Sequence, residues 1–205
     1  MGMRMRKKWD LPSEQTGALA VLGIAFLLGG GAGCLFAAMS DGAGAQELSS
    51  YLTGYLTLAQ SGELPRGLWT LLWEQFKVLL AALVLSVTSL GVVGLPLLIG
   101  VKGFSLAFPV ACFCRIFGSR GLFPAFILFG LPALLWTPAI FLLGTSGLLS
   151  SYRLLRRSLG EGGGFPLSGF CWYRAGVCVG LGLAAGLLEH WVVPVLLRAA
   201  ARFVL

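Results

Sequence analysis

Between Val78 and Phe117 the chain is almost entirely apolar for 40 residues, interrupted only by Lys102 and Arg115. As a single helix this run would extend about 60 Å, twice the ~30 Å thickness of a bilayer's hydrocarbon core. The run is therefore expected to fold back once. The helix-breaking Gly94-Leu95-Pro96 and the glycine-flanked GVKG from Gly100 to Gly103 mark the expected reversal. Two spans of about 18 residues result, with a partly re-entrant hairpin as the alternative.

Composition extends this to the whole chain. Of 205 residues, 57% are hydrophobic and 11% charged, against ~45–50% apolar and ~25% charged in a soluble domain. The excess is expected to face lipid, and the length leaves room for roughly four to six crossings and no second water-soluble domain. Fourteen Phe and six Trp exclude intrinsic disorder. Continuous rather than alternating apolar runs argue against a transmembrane barrel. The expected fold is all-α: a polytopic transmembrane helical bundle forming one integral membrane domain over residues 1–205.

The first expected span is 17–38, 22 residues after the basic Arg4, Arg6, Lys7 and Lys8. That is longer than a signal-peptide core, so it reads as a retained span. Residues 39–77 form the one long polar segment. Within it Leu48, Leu52, Tyr55, Leu56 and Ala59 recur at helical spacing, which predicts an amphipathic helix on the outer face of the membrane or bundle. Trp69, Trp73 and Phe76 follow on one helical face, as at a headgroup boundary. Further spans are expected at 78–97, 99–117, 121–150 and 175–196. The fourth, with Pro124, Pro132 and Pro138 in 30 residues, reads as one long helix that is kinked or broken.

Basic residues set the orientation. With the N-terminus inside, the cytoplasmic side would hold Arg4, Arg6, Lys7, Lys8, Lys102, Arg153, Arg156, Arg157 and Arg174. The outer side would hold Arg66, Lys77, Arg115, Arg120, Arg198 and Arg202. Nine against six, with the N-terminal cluster of four, favours N-in, C-out and five crossings. Because these residues lie between apolar runs, the net charge of +7 reports topology, and nucleic acid is not expected as a partner.

The sharpest single residue is Glu189, just past the centre of the last span. An ionisable group at that depth costs ~2.5–3.5 kcal/mol or more unless turned inward and partnered. It shares a helical face with Gly182, Ala185 and Gly186, small residues that let another backbone approach. The preferred reading is a buried polar tie between helices, since no second intramembrane acid is apparent to continue a relay; a proton or ion relay is the alternative. His190 points about 100° away around the helix and reads as an interface side chain. Lys102 is expected at a cytoplasmic turn, snorkelling to the surface and fixing the hairpin. The glycine strings at Gly29–Gly33 and Gly162–Gly164 lack the Lys-Ser/Thr of a phosphate loop.

Catalysis would need a nucleophile with a base, a metal set or paired carboxylates. One histidine, eight scattered acids and five cysteines without ligand spacing supply none. The sequence therefore predicts no catalytic residues, no cofactor site and no metal site.

Taken together, GLPLLIGVKGFSLAF (Gly94–Phe108), LPALLWTPAIFLLG (Leu131–Gly144) leading to SSYRLLRR (Ser150–Arg157), and the tail LLEHWVVPVLL (Leu187–Leu197) resemble the stage II sporulation protein M family. The residues matching family features are Gly94, Pro96, Lys102, Gly103, Pro132, Pro138, Glu189 and Pro194. The resemblance implies a five-span protein of the mother-cell membrane in endospore formers, with a structural role in engulfment. It also implies partners: the stage II sporulation proteins D and P, cell-wall hydrolases for which the M protein is similar to an anchor or scaffold. Leu48, Leu52, Tyr55 and Leu56 are the candidate partner contacts. One departure is that Ala133 to Trp136 are apolar where many wider relatives carry polar residues, which weighs against solute handling. The competing expectation is a small transporter or lipid-handling permease, motivated by the broken fourth span and Glu189.

Overall fold

A computed structural model of the chain describes residues 13–39, 50, 54, 57, 68–158 and 170–204. Among them no strand occurs. The order is α1 (Ser13–Met39), α2 (Leu68–Val87), α3 (Gly91–Phe117), a 3-10 turn (Gly118–Gly121), α4 (Leu122–Ala125), a π turn (Phe126–Gly130), α5 (Leu131–Ser158) and α6 (Phe170–Val204). Four stretches are long and apolar enough to cross a membrane: Gln15–Met39, Gly91–Phe117, Leu122–Arg156 and Gly176–Leu196. The 20-residue α2 is a fifth long helix, carrying Glu74, Gln75 and Lys77 in its first half.

The helix α1 is apolar on all sides. Ala18, Leu22 and Ala37 are buried, while Leu27, Leu28, Leu35 and Phe36 are exposed, the pattern of a helix whose outer surface is solvated by lipid. In α2, Trp69, Trp73 and Phe76 are all exposed, and the rings of Trp73 and Phe76 stack at 6.1 Å.

The reversal expected at Gly94–Gly103 lies earlier, at Thr88–Leu90, so the second and third helices occupy 68–87 and 91–117 rather than 78–97 and 99–117. The physical signal is the polar Thr88-Ser89 pair. The Thr88 hydroxyl and the Ser151 hydroxyl from α5 both donate to the Leu85 carbonyl, at 3.2 and 3.0 Å, joining the Thr88 backbone N–H that reaches the same oxygen at 3.2 Å where α2 ends. Gly91 begins α3 where a Cβ would overlap the Leu85 carbonyl and the Ser151 hydroxyl. Pro96 stays inside α3, as membrane helices tolerate. Gly94, Gly100 and Gly103 serve packing instead of turning.

The α3 helix ends at Gly118, whose φ of +61° and ψ of −146° are left to glycine. From Leu122 the chain is helical to Ser158, against the expected 121–150. The expected break is a π turn: the Leu131 N–H reaches back to the Phe126 carbonyl, and Pro132, with no N–H, follows at once.

Helix directions alternate. Ala25 lies against Gly100, Gly33 against Phe104 and Phe108, and the Arg115 guanidinium donates to the carbonyls of Ala37 and Ala38 at 2.6 and 2.9 Å. Thus α1 and α3 run parallel, and Arg115 covers the last carbonyls of α1. Ile99 and Leu22 meet Gly144, while Lys102 meets Trp136, so α5 runs against α3. Leu79 meets Gly182 and Leu72 meets Gly186, so α6 runs against α2. Five alternating helices are what five crossings require.

Two apolar clusters hold the bundle. Leu22, Leu79, Leu95, Ile99, Ile140, Leu143 and Cys178 join all five long helices. Ala37, Cys112, Phe113, Ala125, Ile127 and Val193 close the other end.

Candidate functional site

Charged residues of α2, α3 and α6 lie near one another, with Lys102 and Glu189 half-buried and Glu74 exposed. Lys102 is in the middle of α3, between the buried Ile99 and Gly103. This corrects the expected turn position, and the cause is the shifted reversal: once the chain turns at Thr88–Leu90, position 102 is carried to mid-helix. The Lys102 ammonium lies 4.6 Å from the ring centroid of Trp136 on α5. It feels the charge of Glu74 on α2 and of Glu189 on α6. The Gln75 amide donates to Glu189 Oε2 at 3.5 Å. Four helices thus contribute to one polar cluster.

Physical chemistry accounts for the arrangement. A lone lysine at membrane depth costs several kcal/mol, about 2.5–3.5 by insertion scales. A tryptophan face offsets about 0.5–2 kcal/mol of this, and two carboxylates supply the countercharge. Trp136 is 6% exposed, and its indole N–H has no hydrogen-bond partner among the described residues. Such a donor is costly to bury unsatisfied, by about 1–3 kcal/mol.

Glu74, exposed on α2, is the second acid whose charge reaches Lys102. Reading the second span from Val78 left it, with Gln75, in the outer segment; α2 begins at Leu68 and takes both into the helix. Trp136 gave little warning in the sequence beyond being a tryptophan far from a span end, where its N–H has no headgroup to meet. The basic tally changes as well, because Lys102, counted on the cytoplasmic side, lies in the middle of α3.

The other candidate residues are placed as follows. A Cβ on Gly182 would come within 2.7 Å of Leu79 Cδ1, and one on Gly186 within 2.7 Å of Leu72 Cδ2. Ala185 is fully buried between them, so the small face beside Glu189 lies on α2. Gly103 packs on the Phe26 backbone and Gly94 on the Leu85 side chain. Pro96 lines an open apolar groove of about 500 Å³ between α1 and α3. Pro132 is buried after the π turn, Pro138 is exposed on α5, and Pro194 is half-buried within α6. Leu48, Leu52, Tyr55 and Leu56 lie outside the described residues, as does most of the expected amphipathic helix; Ser50, Gly54 and Thr57 are helical. Among the described residues no three His, Cys, Asp or Glu side chains gather to hold a metal.

Comparison with known protein families gives a match that spans most of the chain. The family model for stage II sporulation protein M covers residues 22–194, from Leu22 in α1 to Pro194 in α6, and so takes in every long helix. No curated protein and no solved structure matches the chain.

Proposed function

We infer the function of this chain from its family: it belongs to the stage II sporulation protein M family and is a sporulation-related, multi-pass membrane protein built of long apolar helices. Our reading is that it is a non-catalytic scaffold of the mother-cell membrane, N-terminus inside. It recruits the hydrolases of stage II sporulation, proteins D and P, to the outer face during engulfment. The family match over residues 22–194 carries this reading. The residue inventory supports it, since eight acids and one histidine offer no catalytic set. The segment 40–67, which carries Leu48, Leu52, Tyr55 and Leu56, supplies the partner contacts in this reading.

The test is capture from detergent-solubilised membranes of sporulating cells. The full chain is expected to retain the D or P protein, and Leu48→Ser, Leu52→Ser and Leu56→Ser together to weaken that capture. Recovery of neither hydrolase with the unaltered chain contradicts the reading.

The Lys102, Glu74 and Glu189 cluster supports a second reading, a small transporter or lipid-handling permease, because intramembrane charges commonly line transport routes. It predicts flux in proteoliposomes that Glu189→Gln abolishes. A folded Glu189→Gln protein that sustains normal sporulation removes this reading and leaves the scaffold.

A further inference from the structure

We propose that the trough between α1 and α5, at the end where α1 begins and α5 finishes, binds one anionic glycerophospholipid. The trough has a volume of about 640 Å³ and is lined by Gly17, Ala18, Val21, Leu148 and Leu149, with Tyr152, Arg153 and Arg156 at one end. This volume falls within the ~300–1,000 Å³ of small-molecule sites.

The two ends differ in chemistry. Along its length the trough offers aliphatic surface from helices that cross the membrane, and Val21 is half-exposed there. At its mouth stand two guanidinium groups one turn apart on α5, with Arg156 6.0 Å from the ring centroid of the half-exposed Tyr152. An amphipathic lining with a cationic mouth matches an amphipathic anion: acyl chain against Val21 and Leu149, phosphate on the arginines. Guanidinium favours this because its donor fork fits phosphate oxygens bidentately. Arginines in the last turns of a helix also complement its dipole, but that effect needs no trough. Here Gly17 opens one wall, with nothing within 4 Å of where its Cβ would stand. Basic pockets between membrane helices at a headgroup level are a recurrent form of lipid recognition. The site lies at the far end of α5 from Trp136, and so is separate from the charged cluster.

The experiment uses the full chain in mixed phosphatidylglycerol and phosphatidylcholine micelles, with retained lipid counted by native mass spectrometry. The unaltered protein is expected to hold one phosphatidylglycerol, enriched over phosphatidylcholine by about ten- to thirtyfold, as two arginines beside an anionic headgroup supply. Arg153→Gln with Arg156→Gln should bring the enrichment close to one. Gly17→Leu, which narrows the trough and leaves both arginines, should lower retention of either lipid and keeps the test informative if the double variant misfolds. Glycerol phosphate at millimolar concentration should not displace the lipid if the apolar lining contributes. Enrichment that survives the double variant, retention unaffected by Gly17→Leu, or full displacement by glycerol phosphate each overturns the proposal. Equal retention of both lipids also overturns it.

Discussion

Gly29 of α1 lies backbone to backbone against Gly100 of α3, so close that a Cβ at Gly29 would overlap the Gly100 carbonyl. One turn on, Gly33 is held against the Phe104 carbonyl and Phe108 amide in the same way, with 2.9 and 3.1 Å available to a Cβ. Two small residues four apart allow this approach between parallel membrane helices, and it joins the first and third helices across the intervening α2.

Gly29→Ala is therefore expected to force α1 and α3 apart and to destabilise the protein by at least the ~1–3 kcal/mol typical of overpacking. Gly31→Ala is the control, because nothing lies within 4 Å of its Cβ position; it should be neutral or stabilising by up to about 1 kcal/mol through helix propensity. Unfolding of the two variants in detergent separates them, and equal stability would contradict the packing.

Within the charged cluster, Lys102→Met should destabilise by about 1–3 kcal/mol, below the ~3–5 of a fully buried broken pair because Lys102 is only half-buried. Glu189→Gln should cost little, since an amide still accepts from Gln75. On the Glu189→Gln background Lys102→Met should cost less than it does alone, with a coupling of about 0.5–3 kcal/mol. Strict additivity in a double-mutant cycle would show that the two charges do not share a site.

Topology follows from the turn at Thr88–Leu90. In a chain whose natural cysteines are replaced, Ser89→Cys and Gly160→Cys should be labelled by a membrane-impermeant maleimide from one side, and Gly62→Cys and Ser119→Cys from the other. Lys102→Cys should resist labelling from both. Had the chain reversed at Gly100–Gly103, position 102 would label readily and position 89 would be protected.

The legibility of this fold varied with the kind of signal. Long apolar runs identified α1 and α6, and Pro132 announced the break that takes the form of a π turn. The face of Glu189, Gly182, Ala185 and Gly186 was readable from helical spacing, and the structure sets it on Leu79, Leu72 and Gln75 of α2. The reversal was misplaced because glycine and proline break helices in water but pack helices in lipid, where the backbone has no alternative partner. With the reversal at Thr88–Leu90, Lys102 falls within α3 and Glu74 and Gln75 within α2. The cluster itself was out of reach of local patterns, since its members sit on four helices. The Gly29–Gly33 spacing is a small-residue signal for the α1–α3 contact that the sequence carries in full.

The scaffold reading is tested most directly in sporulating cells by following fluorescently tagged D and P hydrolases with and without the chain. Both should concentrate at the advancing mother-cell membrane when the chain is present, disperse when it is depleted, and return with the Glu189→Gln variant. Hydrolases that localise normally without the chain would contradict the account.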